Sequence, residues 1–158
     1  MNFYMEQCLK LASYAASKGE VPVGAIIFDS IENKIIARAS NCCEALGNSL
    51  KHAEMLVIDK ACKKRKSKNL SGCHIYVTLE PCGMCATAIS YARISRIYYG
   101  ATDKKFGAIE SGPRIFNSTS SLFKPDIYGG IMSEECQNLL KDFFKPLRRE
   151  NTEPKPLY

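Results

Sequence analysis

From Asn2 to Ser17 the side chains of Tyr4, Cys8, Leu11, Ala12 and Ala15 recur at the spacing that places them on one helical face, and Gly19 supplies the stop. Val23 to Phe28 is a short unbroken apolar run, the mark of a strand buried on both sides. Asp29 to Asn33 turns the chain, and Lys34 to Ala39 returns it as the second arm of an antiparallel hairpin. Asn41, Gly47 and Asn48 make Ser40 to Lys51 a loop, after which a helix is predicted from His52 to Lys66. Cys73 to Thr78 alternates as a third strand with Cys73, Ile75 and Val77 inward, Pro81 opens a helix to Tyr91, and Arg96 to Gly100 is a fourth strand. The residues from Ile109 to Pro125 are rich in Ser, Gly, Pro and Asn and predict a loop with one short helical turn. A short fifth strand over Ile127 to Ile131 follows, then a helix capped by Ser133 that ends before Pro146. Helices alternating with strands in this order predict an α/β layered sheet in one domain.

Composition narrows the class without changing that picture. The chain has 158 residues, 46% of them apolar and 24% charged, which suits a globular domain with one large core. No apolar run approaches the roughly 20 residues needed to span a bilayer, and the first turns, with Glu6 among them, lack a secretory core; no membrane association and a cytoplasmic location are expected. Eight cysteines would suit a disulfide scaffold in a small secreted domain, but a chain this rich in Val, Ile and Leu does not need one. Cys8, Cys62 and Cys136 fall in helical segments and read as small buried apolar groups. The net charge of +6 permits a polyanionic partner without requiring one. Its clusters are Lys60, Lys63, Lys64, Arg65, Lys66 and Lys68, and near the C-terminus Lys141, Lys145, Arg148 and Arg149.

The candidate chemistry lies in His52-Ala53-Glu54 and Pro81-Cys82-Gly83-Met84-Cys85. One imidazole and two thiolates are three zinc donors, the number that leaves a fourth position for a reactive water. Glu54 is not needed as a ligand and is placed to move that water's proton. Cys82 and Cys85 are three apart and share a helical face, near free N–H groups that favour thiolate over thiol. A Cys-x-x-Cys pair also occurs in structural zinc knuckles, redox pairs and cluster sites, and Cys73 or His74 would be near enough in sequence to close the coordination.

These two segments resemble the signature of the cytidine deaminase superfamily. A closer similarity, to bacterial tRNA-specific adenosine deaminases, runs through Glu20-Val21-Pro22-Val23-Gly24-Ala25, Asn41, Tyr76 to Cys85, the Tyr99-Gly100-Ala101-x-Asp103-x-Lys105-x-Gly107 segment, and Asp142-Phe143-Phe144 with Arg148-Arg149. The resemblance implies a three-layer α/β/α cytidine-deaminase-like fold with a central mixed five-stranded sheet, and a single deaminase domain over residues 1–158 with a basic C-terminal helix and tail from about 133 to 158. It implies hydrolytic deamination of adenosine to inosine at the wobble position of a tRNA anticodon. One Zn2+ per subunit would be held by His52, Cys82 and Cys85, with Glu54 as catalytic proton shuttle. By the same analogy Val23 packs on the base, and Asn41 contacts its edge. The N–H groups of Ala53 and Cys82, at helix starts, are candidates to position the water and the reacting edge; Asp103 meets a ribose or flanking nucleotide, and Arg148 and Arg149 hold phosphates. Phe143 and Phe144 would stack on bases or pack in a core. The partners implied are the tRNA anticodon stem-loop and a second copy of the chain, as a homodimer.

Two features depart from the family pattern. Ser49-Leu50-Lys51 stands where the family has Pro-Thr-Ala or a similar triplet, so the loop delivering His52 is expected to be looser or re-routed. Cys42 and Cys43 adjoin Asn41 and are expected to be free thiols, since a disulfide between neighbours is strained. A free-base deaminase such as a guanine deaminase, an RNA-binding module without turnover, and a structural zinc protein remain the alternatives. Glu54 speaks against the inactive module, and Asp103, Lys105 and the basic tail against a free-base enzyme.

Overall fold

The protein's structure is a computed structural model that describes residues 2–150, the last three of them as backbone only. Its centre is one mixed five-stranded sheet. β1 (Gly24–Asp29) and β2 (Lys34–Ser40) form the antiparallel hairpin, with a register shift between Ile27 and Phe28. β3 (Cys73–Leu79) lies antiparallel on the other side of β1, β4 (Arg96–Ala101) is parallel to β3, and β5 (Asp126–Tyr128) is parallel to β4, giving the order β2-β1-β3-β4-β5.

Helices cover both faces, which is why β1 is buried at every position. On one face α2 (Ala53–Arg65) and α3 (Gly83–Tyr91) pack on the larger core, built from Ala25, Ile27, Val57, Cys73, Ile75, Val77, Ile89 and Ile97 among others. On the other, α1 (Asn2–Ser17) and α4 (Ser133–Glu150) cover a smaller cluster around Met5, Cys8, Ile26, Tyr76, Tyr98 and Cys136. The chain therefore has the three-layer α/β/α architecture with a mixed five-stranded sheet. α1 can lie so close to β1 because position 24 has no side chain: a Cβ there would stand 2.2 Å from the Cys8 carbonyl oxygen and 2.7 Å from the Ala12 nitrogen. Cys8 and Cys136 are fully buried, Cys62 is partly so, and all eight cysteines are free.

Boundaries of four elements differ from the sequence expectation. α2 and α3 begin one residue beyond His52 and Cys82, which are extended cap residues with ψ of 152° and 174°. Pro81 therefore fixes the approach to the cap and is not in the first helical turn. β5 starts at Asp126 and ends at Tyr128, because Gly129 must pass against the Tyr99 ring and Gly130 adopts a φ of +79°. α4 continues through Pro146. That residue is exposed, so water can replace the amide donor that proline lacks. Among the described residues no helix is long and apolar enough to cross a membrane.

Half of the basic run at the end of α2 has partners within the fold, and Lys64, Lys66 and Lys68 are exposed. Lys60 donates to the Arg38 carbonyl, Lys63 pairs with Asp59, and Arg65 donates to the Ser71 carbonyl and the Cys73 sulfur beside buried Asp29. α2 has 13 residues, so this run lies roughly 20 Å along the helix from His52.

Candidate active site

Both His52 and Cys82 owe their positions to how a helix begins. Each lends its carbonyl to the first helical bond, to Leu56 and Ala86 respectively, while its extended backbone directs the side chain away from the helix axis. The helices start side by side at one end of the sheet, and Cys85 adds a sulfur from the first turn of α3. Donor atoms of His52, Cys82 and Cys85 all lie within 4.8 Å of one another, with His52 Nδ1 at 3.7 Å from Cys82 Sγ and 3.6 Å from Cys85 Sγ. Donors on a tetrahedral zinc would stand about 3.6 Å apart, so the three fit one such ion. Among the described residues no fourth His, Cys, Asp or Glu joins the group. Cys73 lies at the far end of β3 against Arg65, and His74 is half-buried between Phe28 and Tyr98 on the opposite face.

Of the three candidate ligands only Cys82 is driven toward the deprotonated form that binds a metal. Cys82 is held as a thiolate, down to about 4, first by its hydrogen bond with Cys85 and then by His52. Cys85 moves the opposite way because it shares that bond and is buried. His52 is raised by its contact with Cys82. Glu54, only 4% exposed, has its carboxyl pushed up to about 7 by burial, a value suited to taking and returning a proton near neutrality.

The site opens into a cleft of about 800 Å³. Val23 and Asn41 line it together with His52, Glu54, Cys82 and Asp103, and the Asn41 N–H donates to the Val23 carbonyl. One expected contact is arranged differently from the sequence reading. The Ala53 N–H, expected to point at water and substrate, donates to Asn41 Oδ1 at 2.8 Å, so Asn41 closes the start of α2 while lining the cleft. Asp103 accepts the N–H groups of Lys105 and Phe106 on Oδ1, which makes it a turn-former at the cleft wall. The side chains of Arg148 and Arg149 lie outside the described residues. Phe144 lines the cleft while meeting Phe143 edge-on at 5.1 Å.

The loop carrying Ser49-Leu50-Lys51 is tied in place despite lacking the proline. Leu50 N–H bonds to Asn48 Oδ1, Lys51 N–H to the Asn48 carbonyl, and Cys42 N–H to the Lys51 carbonyl.

Two positioning residues escaped the sequence reading as individual roles. Buried Glu20 accepts the N–H groups of Cys43, Glu44 and Ala45, fixing the loop after Asn41. Buried Glu80 accepts the N–H groups of Asp103, Ile109, Glu110 and Ser111 and the Ser111 hydroxyl, fixing the opposite wall. The signal available was a carboxylate next to an apolar or Pro-Cys segment with no helical partner, but periodicity does not locate donors this far along the chain.

Comparisons with known proteins agree with this arrangement. The MafB19-like deaminase family matches residues 2–148. A tRNA-specific adenosine deaminase from Rickettsia felis is 51% identical over 144 residues, covering 91% of this chain and 100% of that protein. A solved structure from a study of A-to-I editing by tRNA:A34 deaminases at the wobble position of transfer RNA superposes with a TM-score of 0.85. It is 43% identical, over 89% of this chain and 100% of the other. Guanine deaminase from Nitrosomonas europaea reaches a TM-score of 0.78 over 90% of this chain and 83% of its own, but at 19% identity it shares the fold alone.

Proposed function

Because the chain belongs to the tRNA-specific adenosine deaminases, within the MafB19-like deaminase family, we propose that it converts adenosine to inosine at the wobble position of a tRNA anticodon with one zinc ion per subunit. The observation that carries this reading is the convergence of His52, Cys82 and Cys85 beside a buried carboxyl at the floor of the cleft. Zinc bound by these three residues supplies an acidified water at neutral pH.

Everything else in the reaction belongs to the chain's own groups. Glu54 accepts a proton from the attacking water and delivers it to the ring nitrogen beside the reacting carbon. It then carries the second proton to the departing amino group, so that water and adenosine yield inosine and ammonia. Val23 offers an apolar surface to the base, and the Asn41 NH2 group donates to its edge. Asp103 holds the wall that meets the neighbouring nucleotide, and Arg148 and Arg149 bind the phosphates of the anticodon loop. A flipped adenosine needs a pocket that receives it away from its stacked loop neighbours, and burial of Glu54 gives the proton transfers a water-poor setting. On the same reading the chain is one deaminase domain with a basic tail, acting as a cytoplasmic homodimer.

The test is to incubate zinc-loaded protein with an anticodon stem-loop carrying wobble adenosine, and separately with guanine and cytidine, and to measure inosine and ammonia. Inosine at the wobble position, lost in Glu54→Ala, supports the reading. Turnover of guanine with the stem-loop untouched overturns it.

A further inference from the structure

We propose that Phe106 is a stacking platform for a base adjacent to the reacting adenosine, and so a determinant of substrate recognition; this rests on the RNA substrate inferred above. A single exposed aromatic side chain needs no explanation in itself. Phe106 is distinguished by its mounting. It is 63% exposed at the rim of the cleft, and among the described residues no other aromatic ring packs on it. Phe144 also lines the cleft, but it is half-buried and already engaged with Phe143.

The turn beneath Phe106 is fixed from several directions. Asp103 Oδ1 accepts the N–H groups of Lys105 at 2.9 Å and of Phe106 at 3.0 Å, and the Gly107 N–H donates to the Asp103 carbonyl at 2.9 Å. Gly107 forms an antiparallel bridge with Cys82, so the ring is one residue from a segment paired directly to a candidate zinc ligand. Gly107 is also pressed onto Glu80: a Cβ there would come within 2.5 Å of the carboxylate and 2.4 Å of the Asp103 carbonyl oxygen. The backbone of Phe106 is thereby held at a set offset from Cys82, which leaves only the side-chain torsions to be ordered when the ring meets a base.

Charge selects the occupant. Lys105 Nζ stands 5.0 Å from the ring centroid, and Lys104 adjoins it. An aromatic ring with an ammonium group on it suits a base whose phosphate lies close by. A second protein chain would meet an isolated Phe flanked by hydrated charges, a poor centre for an interface.

The experiment measures kcat and KM for the wild type, Phe106→Ala and Phe106→Trp on three anticodon stem-loops: intact, abasic immediately 5′ of the wobble adenosine, and abasic immediately 3′. With the intact RNA, Phe106→Ala is expected to raise KM roughly 5- to 100-fold, the range that base–aromatic stacking supports, with Phe106→Trp near wild type. One abasic RNA should raise the wild-type KM by a similar factor and add little further loss in Phe106→Ala, which identifies the neighbour that stacks. Equal losses by Phe106→Ala on all three RNAs, or none, overturn the inference while leaving wobble deamination intact. A shift in oligomeric state of Phe106→Ala by light scattering, with unchanged KM, also overturns it and assigns the ring to contact with another chain. A wild type that leaves all the RNAs unmodified overturns the proposed function and this inference with it.

Discussion

Asn41 Oδ1 accepts the backbone N–H of Ala53 at 2.8 Å, across 12 residues of sequence, and so joins the base pocket to the start of the helix that delivers His52 and Glu54. The oxygen and nitrogen of one amide therefore have separate tasks. Asn41→Asp keeps the acceptor and loses the donor; its thermal stability should stay near wild type while kcat/KM for the stem-loop falls at least 10-fold. Asn41→Ala loses both, and chemical denaturation should show an additional loss of about 1 kcal/mol, as for a missing helix cap.

Glu54→Gln should separate metal binding from proton transfer. The amide preserves shape but cannot accept the water's proton, so turnover is expected to fall by about 10² to 10⁴. Zinc content per chain, measured on the same preparation, should remain that of the wild type. Cys82→Ser or Cys85→Ser should reduce zinc content as well as turnover, and chelation of the wild-type protein should free one additional reactive thiol, that of Cys82.

Glu80 predicts an acid-sensitive loop. Burial alone would raise its carboxyl, but donors from Ser111, Glu110 and Asp103 outweigh that and hold it below the ordinary value. A carboxylate shifted downward on folding stabilises the native state fully above its unfolded value of about 4.3, and that contribution disappears as pH falls through the folded value. Glu80→Gln should cost about 2–4 kcal/mol at pH 7, because an NH2 group is turned toward buried donors. Urea unfolding of this variant should vary less between pH 6 and pH 3 than that of the wild type.

Gly24→Ala probes the contact between α1 and β1. The added methyl meets backbone at 2.2 Å, which no rotamer change relieves. A loss of about 2–3 kcal/mol is expected, read as a lower denaturation midpoint. His52 and the two cysteines lie on the other face of the sheet, so zinc stoichiometry of the folded fraction should not change.

The parts of this protein that were legible from its residues are those governed by local period or by donor type. Cys8, Ala12 and Ala15 repeat along one helix face, Cys73, Ile75 and Val77 alternate along one strand, and a His with a spaced Cys pair has few chemical uses. Contacts between distant segments were not legible in this way. Nothing near Ala53 in sequence indicates that its N–H is taken by Asn41, and nothing near Glu80 indicates that its acceptors serve residues 103–111. Pro146 misled for a different reason: proline removes one helical hydrogen bond and crowds the preceding turn, which disfavours a helix without forbidding it, and α4 runs through this exposed position.

On the face of the sheet away from the cleft, Tyr4 meets Tyr76 at 4.9 Å, Tyr76 stacks on Tyr98 at 4.4 Å, and Tyr98 stacks on Tyr128 at 4.8 Å, a row running from α1 across β3 and β4 to β5. The chain contains no tryptophan. Its ultraviolet emission is therefore tyrosine emission, and half of its eight tyrosines stand in this row. The protein thus carries an intrinsic emission of which half the fluorophores stand in the layer covered by α1 and α4.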